Sequence, residues 1–159
     1  MKLKCGNHSM YEREKKMKRI SKDQYYLDIA YAVCKRSNCL KRHYGAVIVR
    51  NDEIIATGYN GSPRGEVNCC DLGFCNRLHA PSNSGDYSLC HSVHAEQNAL
   101  ISTTREKILG AKMYLAGEAL DTDAYEKEGS FIYNRIKECK PCPICERMIK
   151  NSGIEIVIG

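Results

Sequence analysis

Hydrophobic residues follow two different spacings along the first part of the chain. Over residues 23–37 they recur at close to helical spacing, which predicts an amphipathic helix. Residues 44–49 form an unbroken apolar and β-branched run, which predicts a buried strand. After the turn residues Asn51 and Asp52, residues 53–57 predict a second strand, so the two strands are expected to form a hairpin.

The second part of the chain predicts two further helices and two further strands. Helical patterns occupy residues 94–105 and 142–152, and Gly153 ends the second of them. Strand patterns occupy residues 112–116 and 154–158. The last strand–helix–strand unit is expected to be parallel and right-handed.

Two long polar stretches interrupt this pattern, at residues 61–91 and 117–140. A loop of that length inside a compact domain usually carries a function or a bound metal. The second stretch holds a cluster of acidic residues, and we interpret it as a lid, a substrate-selecting loop or a solvated excursion.

The chain of 159 residues has the length of one domain and carries a formal charge of +5. Much of the positive charge lies in residues 1–22, which we interpret as a basic N-terminal arm before a domain at residues 23–159. Such an arm could attract phosphate groups or simply be a solvated terminus. No apolar run is long enough to span a membrane and no secretory signal is visible, so a cytoplasmic location is expected.

Ten cysteines in a protein expected in a reducing compartment favour metal binding over disulfides. Two segments concentrate the relevant residue types, namely residues 94–96 (His-Ala-Glu) and 141–145 (Pro-Cys-Pro-Ile-Cys). Cys142 and Cys145 lie three residues apart at the start of a predicted helix, so they are expected to share one face. The positive end of the helix dipole should lower the pKa of a cysteine there and favour thiolate.

The residue types in these two segments suit a catalytic zinc site. One imidazole and two thiolates give such a site its three protein ligands and leave the fourth position for water. His94, Cys142 and Cys145 are therefore the predicted zinc ligands. Glu96 would lie beside the metal, where a carboxylate can shuttle a proton between that water and a leaving group. The alternative is a purely structural zinc site, which would not need Glu96.

Cys139 offers a second Cys-x-x-Cys pair with Cys142. Lys140 precedes a proline and is biased away from helix, so Cys139 is not expected to share a helical face with Cys142. Cys142 and Cys145 are the favoured pair, and Cys139 is interpreted as a spare thiol.

Four motifs in order make the chain resemble the deoxycytidylate deaminase family, within the cytidine deaminase superfamily. They are residues 45–49 (GAVIV), 58–63 (GYNGSP), 94–100 (HAEQNAL) and 141–145 (PCPIC). The pairing of His-x-Glu with Pro-Cys-x-x-Cys is the signature of zinc-dependent nucleobase deaminases. The resemblance implies an α/β fold with three layers, α-β-α, around a central mixed sheet of four to five strands. It also implies zinc-dependent hydrolysis of dCMP to dUMP and ammonia.

The resemblance further implies substrate roles for two residues. Asn60 matches the position at which the family's loop contacts the deoxyribose, although asparagine is also common in turns. Arg105 matches the phosphate ligand, and a continuous helix would place it on one stripe with His94 and Asn98, roughly 16 Å along the axis from His94. A solvated arginine near a helix end is the alternative for Arg105.

Some members of the family bind a second, structural zinc. Cys39 and Cys69 match its ligand positions, and Cys90 is the expected third ligand in this chain. Other candidates in the long loop are Cys75, His79 and His91. Members of the family form homo-oligomers and some are regulated by deoxynucleoside triphosphates, so the resemblance implies a homo-oligomer and such an effector here.

Two other functions stay open at this stage. The first is a zinc-dependent deaminase of another substrate, such as a free nucleoside, a nucleic-acid base or a different heterocycle. The second is a non-catalytic, zinc-stabilised module that binds nucleic acid through its basic arm. With no tryptophan and two phenylalanines, the chain has few residues on which bases could stack, so nucleic acid is not the expected partner. The edge of the last strand, residues 154–158, is expected to be covered by another subunit or by the 117–140 stretch.

Overall fold

A five-stranded mixed sheet forms the middle layer of the computed structural model, which describes residues 17–81, 84–85 and 87–158. The strands are β1 (Arg42–Arg50), β2 (Glu53–Tyr59), β3 (Lys112–Leu120), β4 (Tyr133–Arg135) and β5 (Glu155–Ile158). The helices are α1 (Lys22–Cys34), α2 (Cys69–Leu72), α3 (Ala95–Ile101), α4 (Arg105–Ile108), α5 (Thr122–Glu128) and α6 (Pro143–Ser152).

The sheet confirms both predicted strand pairings. β1 and β2 form an antiparallel hairpin, and its turn residues Asn51 and Asp52 have φ angles of 52° and 66°. Two successive positive φ angles are typical of the turns whose twist suits a tight hairpin. β5 pairs with the first half of β3 in parallel, so the β3–α6–β5 unit has the predicted orientation.

The alternation of side chains along β1 divides the hydrophobic core between the two faces of the sheet. Val47 and Val49 face α1, where they pack in one cluster with Tyr26, Leu27 and Ala30. Ala46 and Ile48 face the opposite side, in a second cluster that includes buried residues of α3 and α6. Helices therefore cover both faces, which confirms the predicted three-layer architecture.

The N-terminal boundary of the folded part falls at α1. Ser21 caps this helix, since its Oγ accepts a hydrogen bond from the backbone N–H of Gln24 at 3.1 Å. Lys22, the last residue of the predicted basic arm, is the first residue of the helix. Residues 1–16 of that arm lie outside the described residues. Within the described part of the chain, every helix is too short or too polar to cross a bilayer.

The prediction of one helix over residues 94–105 is wrong. α3 ends at Ile101, and a separate four-residue helix, α4, begins at Arg105. The hydroxyl of Ser102 donates back to the carbonyl of Asn98 at 2.7 Å, a local bond that competes with continuation of the helix. Ser102 and the two threonines that follow it are also weaker helix formers than the residues before them.

The prediction of a polar excursion over residues 117–140 is also wrong for most of the segment. β3 continues as far as Leu120, and α5 follows, capped by the carboxylate of Asp121 at the backbone N–H of Ala124. β4 then returns to pair with the second half of β3 in antiparallel register. The segment is therefore part of the sheet. It does not pair with β5, whose partner among the described strands is β3.

Candidate metal and active site

The start of α3 carries the first half of the predicted metal site. His94 is the N-cap residue of this helix, and its backbone N–H donates to the side-chain oxygen of Gln97 at 2.9 Å. The helix packs closely on β2 because Gly58 has no side chain. A Cβ at Gly58 would overlap the backbone of Ala95 and Ala99.

The start of α6 carries the second half. Cys142 is the N-cap residue, and its Sγ accepts a hydrogen bond from the backbone N–H of Cys145 at 3.4 Å. Pro143 occupies the first turn, where a missing N–H costs nothing. The two cysteines consequently point to the same side of the helix start, as predicted.

The two helix starts bring the predicted ligands together. His94 Nδ1 lies 3.5 Å from Cys142 Sγ and 3.4 Å from Cys145 Sγ. Two ligands of a tetrahedral zinc, with bonds of about 2.0–2.3 Å, lie about 3.6 Å apart, so this donor set fits the ion. Within the described residues, this is the one group of three or more histidine, cysteine or acidic side chains whose ligand atoms all lie within 4.8 Å of one another.

The protonation of these ligands is controlled by burial. Burial lowers the pKa of His94, and the cation of Arg77 lowers it further, so the imidazole is neutral and able to bind metal. Burial raises the pKa of Cys145, with Glu96 as the next cause, which is opposite to the direction expected from the helix dipole. Zinc binding itself would therefore have to displace the proton of Cys145.

Glu96 lies beside the ligand group, with a side chain that is 5% exposed. Burial raises the pKa of its carboxyl, although hydrogen bonds from its own backbone and from the Cys145 thiol partly oppose that shift. A carboxyl group with a raised pKa can both accept and return a proton near neutral pH. The position and protonation of Glu96 therefore suit the predicted role of proton shuttle.

Asn60 is buried at the wall of the same cavity. Its Oδ1 accepts from the backbone N–H of Tyr44 at 2.7 Å, and its Nδ2 donates to the carbonyl of Arg42 at 2.9 Å. Both ends of the amide thus fix the chain after β2 to the start of β1. One amide hydrogen and one lone pair remain for a second partner.

The cavity in front of the ligand group is strongly basic. Glu96, His94 and Cys142 form its inner end, and the cationic residues in its wall are Lys41, Arg42, Arg77 and Lys140. Tyr87 also lines it, with its ring 5.8 Å from the ring of His94, centroid to centroid. Sequence reasoning missed these basic residues.

Arg105 is not among the residues that line this cavity. It is exposed at the first position of α4, after the turn that ends α3. The single helical stripe that was expected to join it to His94 does not exist, because α3 stops at Ile101. The structure therefore gives no support to Arg105 as a phosphate ligand.

The three cysteines predicted for a second zinc do not form a ligand group in the described residues. Cys39 and Cys90 line the basic cavity, whereas Cys69 lies 3.9 Å from the Nε2 of His91. Burial raises the pKa of Cys39, and the thiol of Cys69 adds to that shift from a distance. The cysteines therefore share one region but not one coordination sphere.

Cys139 packs in the core and not in the ligand group. Its side chain is 1% exposed, in the cluster that contains Ala46 and Ile48. Burial raises its pKa to about 11, so it is a neutral thiol. The choice of Cys142 and Cys145 over Cys139 agrees with this arrangement.

The chain matches a known protein family over most of its length. Residues 20–159 match the family model of the cytidine and deoxycytidylate deaminase zinc-binding region. The deoxycytidylate deaminase of Mycobacterium phage D29 is 35% identical over 148 residues, covering 89% of this chain and 96% of the phage protein. That of Schizosaccharomyces pombe is 46% identical over 91 residues, covering 57% of this chain and 28% of the yeast protein. The chain thus spans nearly all of the phage relative but less than a third of the yeast relative.

The solved structures that resemble this chain include a dCMP deaminase. The dCMP deaminase of cyanophage S-TIM5, crystallised with dCMP and dUMP, superposes with a TM-score of 0.57 at 25% identity. The match covers 87% of this chain and 82% of that protein. The apo form of the same enzyme gives a TM-score of 0.55 at 27% identity.

Proposed function

Since this chain belongs to the cytidine and deoxycytidylate deaminase family, we propose that it hydrolyses dCMP to dUMP and ammonia. One observation carries the proposal. A buried carboxyl, Glu96, lies beside a three-ligand group made of one imidazole and two thiols. A structural zinc site would have no use for that carboxyl, whereas hydrolysis needs a group that moves protons.

The proposed mechanism assigns each residue one task. His94, Cys142 and Cys145 would hold zinc, which lowers the pKa of a bound water and so supplies the nucleophile at neutral pH. Glu96 would accept a proton from the attacking water, whose oxygen bonds to C4 of the cytosine ring, and would deliver it to the ring nitrogen N3. Glu96 would then carry the second proton of that oxygen to the nitrogen that leaves from C4, so that ammonia departs and C4 keeps a carbonyl oxygen.

The cavity also supports a nucleotide as the substrate. Its basic wall is opposite in charge to a phosphate monoester, so it would attract a monophosphate more strongly than a neutral nucleoside. Asn60 has hydrogen-bonding capacity left for a sugar hydroxyl, as the family resemblance implies. These two features favour dCMP over deoxycytidine.

A direct assay tests this function. The purified protein, with its zinc content measured, is incubated with dCMP, dCTP, deoxycytidine and cytidine, and ammonia release is followed. We expect dCMP to be converted with the highest kcat/KM. No turnover of any of the four by a zinc-loaded protein would contradict the proposal and favour a different heterocycle.

We also propose that the chain forms a homo-oligomer in the cytoplasm. Among the described strands, β5 pairs with β3 alone, so the other edge of β5 is open to a second subunit. Light scattering after size-exclusion chromatography should give a mass above the 18.0 kDa of one chain. A monomer at all concentrations would contradict the oligomer.

Two finer proposals rest on the family resemblance. A deoxynucleoside triphosphate effector should change the dCMP saturation curve without being consumed, and an unchanged curve with all four triphosphates would exclude it. A second zinc that draws ligands from Cys39, Cys69 and Cys90 would have to bring these thiols together on binding, and it should raise the metal content to two per chain. The proximity of Cys69 to His91 supports such a site, and Cys69→Ser should then return the content to one.

A further inference from the structure

We propose that Arg77 binds the 5′-phosphate of the substrate and makes the enzyme select nucleotides over nucleosides. The inference rests on the proposed deamination of dCMP and assigns its phosphate to one residue. Arg77 belongs to the long loop between β2 and α3, and it lines the same cavity as Glu96 and His94.

Two other cations in the cavity wall, Lys41 and Lys140, are less suited than Arg77 to bind a phosphate. The ammonium of Lys41 donates to the backbone carbonyls of Arg77 and Ala80, so it is already engaged by the protein. Lys140 pairs with Glu138 at 3.4 Å, and 67% of its side chain is exposed to solvent. An exposed, paired lysine contributes little to binding a phosphate.

Arg42, the remaining cation, is also held by the protein. Its Nη1 donates to the hydroxyl of Tyr44 at 3.1 Å, and its carbonyl accepts from Asn60. It has further interactions of its own within the fold. Arg42 therefore contributes positive charge to the wall but has fewer donors to offer a ligand.

The guanidinium of Arg77 has an unmet donor inside the protein. Its Nη2 donates to the hydroxyl of Ser84 at 2.9 Å, which uses one of the five N–H donors of the group, and its Nε is buried with no hydrogen-bond partner among residues 17–81, 84–85 and 87–158. Because the Nε is not exposed to the cavity, a phosphate would bind to the hydrogens that the two Nη groups still carry. The planar fork of arginine can bind two phosphate oxygens at once, which an ammonium cannot do.

The position of Arg77 suits the far end of a nucleotide whose base lies at the metal ligands. The guanidinium carbon lies 5.4 Å from the centroid of the Tyr87 ring, which in turn is 5.8 Å from the ring of His94. Tyr87 is therefore close to both residues, and Arg77 can be at most the sum of these two distances from His94.

Lys41 acts as a positioning residue for Arg77. Its two bonds to loop carbonyls tie the segment that carries Arg77 to the start of β1. Burial lowers the pKa of Lys41, in keeping with an ammonium enclosed by the loop. These two bonds fix the loop at the cavity, so Arg77 is already in position before the substrate binds.

The test compares kcat/KM for dCMP and for deoxycytidine in wild type and in Arg77→Ala. Loss of a charge-assisted, two-pronged contact should lower kcat/KM for dCMP by about 100-fold. The value for deoxycytidine, which has no phosphate, should change by less than about twofold. For dCMP, the kcat/KM of Arg77→Lys should lie between the values of wild type and Arg77→Ala. Arg105→Ala, in exposed α4, should have the wild-type value.

Ligand binding, measured without turnover, tests the same role of Arg77. Calorimetry with the products should show that Arg77→Ala weakens the binding of dUMP about 100-fold and leaves that of deoxyuridine unchanged. Equal losses for phosphorylated and unphosphorylated ligands, or no loss for either, would overturn the role of Arg77. Failure of wild type to deaminate dCMP would instead contradict the proposed function, because the binding comparison does not depend on it.

Discussion

The carboxylate of Glu118 allows a quantitative test of how the fold is held together. It is 2% exposed on β3, where it accepts hydrogen bonds from the hydroxyl of Tyr31 at 2.9 Å and from the ammonium of Lys35. Its other oxygen lies 2.8 Å from the Nδ1 of His43 on β1. The cluster joins α1, β1 and β3 on the sheet face opposite α3.

Replacing Glu118 by Gln removes the charge and turns one acceptor oxygen into an NH₂ group that faces other donors. Breaking one partner of a buried charged network in this way should cost about 2–3 kcal/mol of unfolding free energy at pH 7. For a domain of this size that corresponds to a fall in Tm of roughly 4–12 °C. Glu146→Gln is the matched control, because this carboxylate is 50% exposed in its pair with Lys150 and the substitution should leave the unfolding free energy nearly unchanged.

The stability that is lost in Glu118→Gln should depend on pH. Burial raises the pKa of Glu118, but hydrogen bonds from Lys35, His43 and Tyr31 outweigh it and hold the pKa below its ordinary value. The ionised group therefore contributes stability that is complete above about pH 4.3, the unfolded value, and is lost as the pH falls through the lower folded value. The stability difference between wild type and Glu118→Gln should accordingly narrow in acid.

Urea denaturation at pH 7, 5 and 3.5 measures this difference. Comparing the two proteins at each pH cancels the titration of all other carboxyl groups that they share. A difference below about 0.5 kcal/mol at pH 7, or one that stays constant on acidification, would refute the reasoning, since the buried carboxylate would then contribute no net stability.

Two further predictions concern the metal ligands and the packing behind them. Cys145→Ser should lower the zinc content, measured by atomic absorption, by one per chain relative to wild type. Cys139→Ser should keep the wild-type zinc content and lose about 1–3 kcal/mol of stability through its buried hydroxyl. Equal zinc in both variants would contradict the ligand assignment. Gly58→Ala should force α3 away from β2 and cost about 1–3 kcal/mol, with weaker zinc binding because His94 and Glu96 lie at the start of that helix. A Gly58→Ala protein with wild-type stability and zinc affinity would show that the close approach is not needed.

The sheet and the ligand group were predictable from the sequence because each depends on short-range patterns. Alternation along β1 assigns Val47 to one face and Ile48 to the other without further information. The motifs at residues 94–96 and 141–145 each begin a helix, so their orientation follows from local rules. What brings them together is the packing of both helices on one face of the sheet.

The parts that could not be predicted depend on contacts between distant segments. Residues 102–104 carry hydroxyl groups, which a helix tolerates, so the sequence did not predict that α3 ends at Ile101. The chain turns there, and Arg105 does not line the cavity. The three residues of β4 have no strand pattern strong enough to predict, and they become a strand because β3 offers a free edge. Arg77 reaches the cavity because Lys41, 36 residues earlier, holds its loop.

The central claim is that one buried carboxyl makes a zinc site catalytic, and Glu96→Gln tests it most directly. Zinc content, the thermal unfolding curve and dCMP turnover are measured on the same preparation, with the exposed substitution Glu146→Gln as control. The account predicts that Glu96→Gln alone keeps the zinc content and the unfolding curve of wild type and loses roughly 10²–10⁴-fold in kcat. Retained turnover, or loss of zinc together with unfolding, would contradict it, because Glu96 would then be dispensable for the reaction or required only for the structure.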